Sequence, residues 1–309
     1  MATEPILAAL DSVVVKSGDP ERSRVLSDYW ALTKPEVNFL IGLATAAAFC
    51  VGCGEPLERF PWALLVHTVL RTVLVASGAA TLNQLIERQF DAQMRRTARR
   101  PIAAGQIEPI HALVFGVLLS LVGGIYLAVA AQPAASLLAV LTLISYLFLY
   151  TPLKRPTPVC ALVGAFPGAM PVLIGYVAAA GKLDSQAWLL YAVLFLWQFP
   201  HFMAIAWMYR DDYARAEYKI LPQGIGKAPF MGLQSVFPAL ALVCVTVIPL
   251  ILRQASEVIT VGTVLLDLSF VYFAARLAIV QSNPAARRLL LASVVYLPSV
   301  FVLQVLARL

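Results

Sequence analysis

Charge is scarce in this chain. Of 309 residues, 13% are charged and 60% hydrophobic, and the mean hydropathy is +0.80. A soluble domain carries about 25% charged and roughly 45–50% apolar residues. A larger core cannot absorb such an excess, because a soluble protein must still wet its surface. The deficit excludes an ordinary soluble fold and points to lipid as the solvent. Long polar stretches are missing as well, so no soluble domain and no long linker interrupt the apolar runs. Sulfur and imidazole are sparse, with four cysteines and three histidines. Cys50 and Cys53 form a C-x-x-C on one helix face, yet no histidine or second cysteine pair stands near to complete a zinc site. They read as small apolar residues of a membrane helix. The opening residues lack a signal-type apolar run beside a cleavage site, and they lack an Arg- and Ser-rich transit pattern. A bacterial inner membrane is therefore expected rather than a mitochondrion.

What is present is a series of apolar runs. A hydrocarbon core of about 30 Å needs about 20 residues of helix. Nine candidates fall at about 33–53, 61–87, 109–130, 134–151, 158–180, 186–208, 229–252, 257–279 and 288–307. Irregular backbone cannot face lipid, so each must be helical. The expected fold is all-α: a polytopic transmembrane bundle of about nine helices, forming one domain over residues 29–309 behind a polar cytoplasmic tail at 1–28.

Loop charge gives the orientation. With the N-terminus inside, the loops after the second, fourth, sixth and eighth runs are inner. They hold Arg88, Arg95, Arg96, Arg99 and Arg100, then Lys154 and Arg155, then Arg210, Arg215, Lys219 and Lys227, then Arg287 and Arg288. The outer loops hold only Arg59, Lys182 and Arg253. The net charge of +6 is thus a topology signal and not a nucleic-acid footprint. The positive-inside rule does not require the carboxylates Glu87, Asp91, Asp211 and Asp212 at the same face. Their recurrence in two segments hints at a weak internal repeat.

Three clusters at that face carry chemistry. Asn83, Glu87 and Asp91 are spaced i, i+4, i+8, one stripe of a helix. The stripe offers oxygen ligands only, which suits Mg²⁺ completed by substrate phosphates. The alternative is a solvated helix end, but Asn83 sits inside the apolar run, where an unpaired amide is costly. Arg210-Asp211-Asp212-Tyr213 closes the sixth run. Its adjacent carboxylates repel unless a cation offsets them, and with the first stripe they could hold a metal from two sides; otherwise they form a polar loop. Lys154-Arg155 closes the fourth run, either as headgroup anchors or as a diphosphate clamp with Arg96 and Arg100. Acids for a metal and cations for an anion, opening into an apolar bundle, describe a substrate with a phosphate head and a long hydrocarbon tail. Departure of diphosphate, with the allylic cation shielded from water, is the reaction that fits.

At these residues the sequence resembles the UbiA family of intramembrane prenyltransferases, over nearly the whole chain after residue 28. The marks are Leu32-Thr33-Lys34-Pro35, Asn83 with Glu87 and Asp91, Met94, Arg96-Thr97, Arg100-Pro101, Gly105, Tyr150-Thr151, and Lys154-Arg155 with Thr157. Further marks are Trp197-Gln198-x-Pro200-His201-Phe202 and Asp212-Tyr213 followed by Leu221-Pro222, which are similar to the haem-farnesylating branch. The resemblance implies nine helices, Mg²⁺, farnesyl diphosphate as donor, and transfer of farnesyl to a vinyl group of haem b with addition of water. A haem A synthase is then a candidate partner for the product. It also implies that Asn83, Glu87, Asp91, Asp211, Asp212 and Tyr213 form the catalytic set, with Asn83, Glu87, Asp91 and Asp212 on the metal. Arg96, Arg100, Lys154 and Arg155 would take the diphosphate, and Trp197, Gln198 and His201 the haem. His201 is otherwise a hydrogen-bonded packing residue. Two departures stand out: Glu87 where many relatives carry Asp, and Glu217 where most have Gly.

Charged or titratable residues inside a membrane span are functional suspects by default. His67, Arg71 and Asp267 match no motif; Arg71 could pair with Asp267 or meet a haem propionate. Two other readings compete with haem farnesylation. Prenyl transfer to an aromatic acid is disfavoured by the Trp-Gln-x-Pro-His-Phe run. A cation-coupled transporter predicts ionisable residues near the midplane and broken helices, whereas here Arg and Lys accompany the acids at one face.

Overall fold

The structure, a computed structural model, describes residues 20–221, 227–251 and 256–308. Residues 1–19 of the expected tail, Pro222 and Arg253 lie outside the described residues. The chain forms α1 (Pro20–Leu32), α2 (Pro35–Gly52), α3 (Trp62–Asp91), α4 (Pro109–Ala130), α5 (Pro133–Ile144), α6 (Cys160–Ala180), α7 (Ser185–Met208), α8 (Arg210–Arg215), α9 (Lys227–Ile251), α10 (Glu257–Val280) and α11 (Asn283–Leu306). α5 runs on through a π-helical turn, Ser145–Tyr150, to Leu153. Among the described residues, nine helices are long and apolar enough to cross a membrane: α2 to α7 and α9 to α11.

α6 is the most enclosed of these spans and packs against α2, α5 and α7. Small residues make that possible, as membrane helices associate by close backbone approach rather than by a hydrophobic drive. At Gly175 a Cβ would lie 2.1 Å from the Thr45 carbonyl oxygen of α2. At Gly78 of α3 it would lie 2.2 Å from Ser120 Oγ of α4. On the outside, large apolar side chains such as Val129, Leu233, Val258 and Ile279 stay exposed. That pattern is normal where the solvent is hydrocarbon and would be a liability in water.

Three boundaries differ from the hydropathy reading. α3 continues to Asp91, past the expected end at 87, because its polar last turns find protein partners; an apolar run measures bilayer thickness, not helix length. α11 begins at Asn283, ahead of the run starting at 288. Ser282 Oγ accepts from the Ala285 amide at 3.3 Å, and Pro284 occupies the first turn. Arg287 and Arg288 therefore lie in a helix and not in a loop. The expected domain edge at residue 28 falls within α1. That helix ends at Leu32, and Lys34, in the left-handed region with φ 51°, turns the chain into α2 at Pro35.

Candidate active site

The last turns of α3 carry Asn83, Glu87 and Asp91, all buried. The π turn of α5 brings a second element to them. Thr151 Oγ1 donates to the Tyr146 carbonyl, five residues back, at 2.8 Å, and accepts from Asn83 Nδ2 at 3.1 Å. A π turn inserts one residue and rotates the helix beyond it, a device frequent at functional sites. Here Lys154 lands on α3, where its Nζ donates to Glu87 Oε1 at 2.7 Å and lies 4.7 Å from the Tyr150 ring centre. Lys34, at the joint between α1 and α2, donates to Asn83 Oδ1 at 3.1 Å. Arg100, in the loop after α3, donates to Asp91 Oδ2 at 2.7 Å, and Thr97 Oγ1 pins that loop to the Asp91 carbonyl at 2.9 Å.

α8 and the turn after it lie across these ends. Asp212 accepts from the Arg96 amide at 3.1 Å and pairs with Arg215. Tyr218 donates to Glu87 Oε1 at 3.3 Å, and the Lys219 amide donates to the Lys154 carbonyl at 3.2 Å. Met94, Ala216 and Tyr218 are buried together, with Phe90, Tyr213 and Ile220 packed around them. The ends of the second, fourth and sixth spans thus meet at one face, as loop charge predicted.

Crowding of like charge shapes the site. Burial, with Arg100 and Lys154 nearby, pulls the Lys34 ammonium down to about 7. Burial also weighs against the Lys154 ammonium, but Tyr150 and Glu87 outweigh it and hold the group well above the usual lysine value. Burial and then Glu87 push the Tyr218 phenol above the usual tyrosine value.

The structure sorts the expected residues. Asp212 is 7% exposed, whereas the Asp211 side chain is 81% exposed and faces away. Adjacent residues of a helix point about 100° apart, so the two aspartates cannot share one cation from the same turn. The expected cationic clamp splits likewise. Lys154 and Arg100 sit against the buried acids. Arg96 and Arg155 lie exposed at the rim, Arg96 5.0 Å from the Tyr209 ring centre and Arg155 3.3 Å from Glu217 and 4.5 Å from the Phe90 ring centre. Glu217 has φ 56°, a backbone that favours glycine, and its carboxylate meets Arg155.

The donor set fits a hard divalent cation. Asn83, Glu87, Asp91 and Asp212 offer only oxygen, and Asp91 Oδ1 is buried with no hydrogen-bond partner. Among the described residues, no three of His, Cys, Asp and Glu converge closely enough to hold an ion unaided. An all-oxygen donor set of this kind suits Mg²⁺, which keeps waters and takes phosphate oxygens.

Deeper in the bundle, α7 and α11 build a second polar group. Trp197 Nε1 donates to the Ser293 carbonyl at 2.9 Å. His201 Nδ1 lies 2.8 Å from Ser293 Oγ, and the Trp197 and His201 rings stack at 4.7 Å and 24°. At about 1.5 Å per residue, His201 lies roughly 10 Å along α7 from its end at the charged face. Gln198 Nε2 donates to the Ala165 carbonyl at 2.8 Å, and its Oε1 fills the space over Gly168. Gln198 thereby ties α6 to α7.

The membrane-embedded suspects have local partners. Arg71 covers the Tyr126 ring at 3.9 Å, and the Tyr126 hydroxyl meets His67 Nδ1 at 2.7 Å. Asp267 accepts from the Tyr296 hydroxyl at 2.5 Å. Of the two readings left open for Arg71, the pair with Asp267 does not form, because Arg71 belongs to the α3–α4 contact and Asp267 to the α10–α11 contact. Sequence reasoning left Lys34, Thr151, Tyr218 and Ser293 out of the site. Lys34 had a signal, a cation just before Pro35 at the mouth of a span, and Thr151 stood in the marked Tyr150-Thr151 pair; Tyr218 and Ser293 had none without the fold.

The UbiA prenyltransferase family model matches residues 40–296. The protoheme IX farnesyltransferase of Solibacter usitatus is 42% identical over 289 residues, covering 92% of this chain and 99% of that relative. That of Koribacter versatilis is 39% identical, covering 94% and 96%. The solved digeranylgeranylglyceryl phosphate synthase superposes with a TM-score of 0.73 at 15% identity, over 92% of this chain and 98% of the other. A UbiA homolog from Archaeoglobus fulgidus bound to GPP and Mg²⁺ gives 0.66 at 16% identity, over 89% and 99%. At such identities the solved structures speak for the fold alone. The family match, by contrast, runs from within α2 to within α11, and this chain belongs to the UbiA prenyltransferase family.

Proposed function

We propose that this chain transfers the farnesyl group of farnesyl diphosphate to a vinyl group of haem b, with addition of water, giving haem O. The observation that carries the reading is the alternation of acid and cation at one mouth of an apolar bundle, Lys154 on Glu87 and Arg100 on Asp91. The acceptor class comes from relatives of 39–42% identity that are named protoheme IX farnesyltransferase.

Asn83, Glu87, Asp91 and Asp212 would hold Mg²⁺, which supplies positive charge to the departing diphosphate oxygens. Lys154 and Arg100 turn from the acids to those oxygens, with Lys34 beside them, and the rim residues Arg96 and Arg155 draw the anion in. Tyr213 and Tyr218, packed across the helix ends, would border the head. Asp211, at the surface, contributes to the local field and not to the metal. The C1–O bond breaks with its electron pair leaving on diphosphate, and the bundle keeps water from the allylic cation. The vinyl π electrons form the new C–C bond. The resulting porphyrin-stabilised cation takes a water oxygen and loses a proton, leaving the hydroxyethylfarnesyl group. Trp197 and His201 face the macrocycle, while Gln198 fixes their helix. The excess of Lys and Arg at this face supports a cytoplasmic placement of the site.

Purified protein with haem b, farnesyl diphosphate and Mg²⁺ should yield haem O, identified by chromatography and mass. Absence of product, together with labelled donor crossing sealed vesicles, would overturn the reading in favour of transport.

A further inference from the structure

Ser293 is 0% exposed and sits where α11 meets α7. Its hydroxyl has one proton and two neighbours. Oγ lies 2.6 Å from the Leu290 carbonyl oxygen, which can only accept, and 2.8 Å from His201 Nδ1. If the proton pointed at Nδ1, two oxygens 2.6 Å apart would face each other with no hydrogen between them. The proton therefore lies on the Leu290 side, and the bond to His201 forms only if Nδ1 carries the imidazole proton. A neutral imidazole has a single N–H, so Nε2 keeps its lone pair. The same serine also accepts from the Trp197 indole through its backbone carbonyl, which holds the stacked Trp197 ring against the imidazole. One buried residue thus sets the tautomer of one ring and the position of the other.

We propose that Ser293 is a positioning residue that locks His201 as the Nδ1–H tautomer, so that Nε2 is presented as the axial ligand to the iron of the acceptor haem. Outer hydrogen bonds of this kind orient most metal-binding histidines. The tautomer is a property of the protein alone; the iron bond rests on the haem reading proposed above, so the two parts are tested separately.

Protein labelled with ¹⁵N-histidine, reconstituted in lipid without haem, reports the tautomer directly. His67→Ala and His111→Ala remove the other two imidazole signals. His201 should show a protonated Nδ1 and a bare Nε2. Ser293→Ala should shift it toward the Nε2–H form, and Ser293→Thr, which keeps a hydroxyl, should restore the original signal. A wild-type Nε2–H signal, or one that Ser293→Ala leaves unmoved, overturns the positioning role. In the second arm ferric haem b is titrated into the protein. His201→Ala should lose the histidine-ligated absorption spectrum, and Ser293→Ala should weaken haem binding by about 10-fold. A spectrum unchanged in His201→Ala overturns the ligand role even where the tautomer is as stated.

Discussion

The pairing of Lys154 with Glu87 gives the sharpest test of the site. The two side chains are 12% and 7% exposed and 2.7 Å apart. Replacing Lys154 by Met leaves a buried carboxylate with the Tyr218 hydroxyl at 3.3 Å and with Lys34 and Arg100 farther off. Removing one partner of a fully buried pair costs roughly 3–5 kcal/mol. Residual exposure and the two remaining cations lower the expectation here to about 2–3 kcal/mol. Adding Glu87→Gln removes the stranded charge, so the double variant should return to within about 1 kcal/mol of the parent. Turnover should behave differently. A hydrogen bond from a charged donor is worth about 1.5–3 kcal/mol, so loss of Lys154 from the departing diphosphate should slow the reaction by roughly 10- to 100-fold. The double variant should recover none of that loss. Denaturant unfolding in detergent and haem O formation, measured on the same preparations, separate the two effects. A double variant no more stable than Lys154→Met would refute the buried pair. One that regains turnover would refute the catalytic assignment of Lys154.

Asp91→Ala and Asp212→Ala should each abolish Mg²⁺-dependent turnover while the chain still folds, with a lowered unfolding midpoint because each change strands an arginine partner, whereas Asp211→Ala, at an exposed position, should stay within about twofold; equal loss from both adjacent aspartates would contradict the inward and outward split. Gly175→Ala places a methyl 2.1 Å from the Thr45 carbonyl oxygen, so α2 and α6 must separate, and thermal unfolding should show a loss of about 1–3 kcal/mol. Asp184 caps α7, accepting from the amides of Gln186 and Ala187 at 3.1 and 3.3 Å and from Tyr176 at 3.0 Å. Partial burial works to raise its pKa, but these three bonds outweigh it and hold the carboxyl below its usual value. Its stabilisation is therefore complete above the unfolded value near 4 and fades as pH falls through the folded one. Asp184→Ala should cost about 1 kcal/mol at neutral pH, and its deficit should shrink in unfolding curves recorded below about pH 4.

Several particulars show how far the sequence could be read. The stripe Asn83, Glu87, Asp91 was legible because i+4 spacing on a helix needs no knowledge of neighbours. The convergence of three loop clusters was legible from parity, since each span must return the chain to the opposite face. Glu217 looked like a disturbance of the second acidic loop. In the structure it holds the left-handed backbone at φ 56°, and its exposed carboxylate meets Arg155 at the rim. Asp211 and Asp212 could not be told apart by residue type and spacing. Neither could Arg100 and Arg96, one of which lies on a buried acid and the other at the rim.

The sequence by itself determined the solvent, the nine spans and the face that carries charge. Those properties belong to each segment alone: hydropathy, length and loop charge act on a helix whatever stands beside it. Only the tertiary structure decided which side chains meet. That depends on the rotation of each helix about its axis, on the π turn that delivers Thr151 and Lys154 to α3, and on the close approach of α11 that brings Ser293 to His201. None of these is local, because each is fixed by packing between segments far apart in the chain.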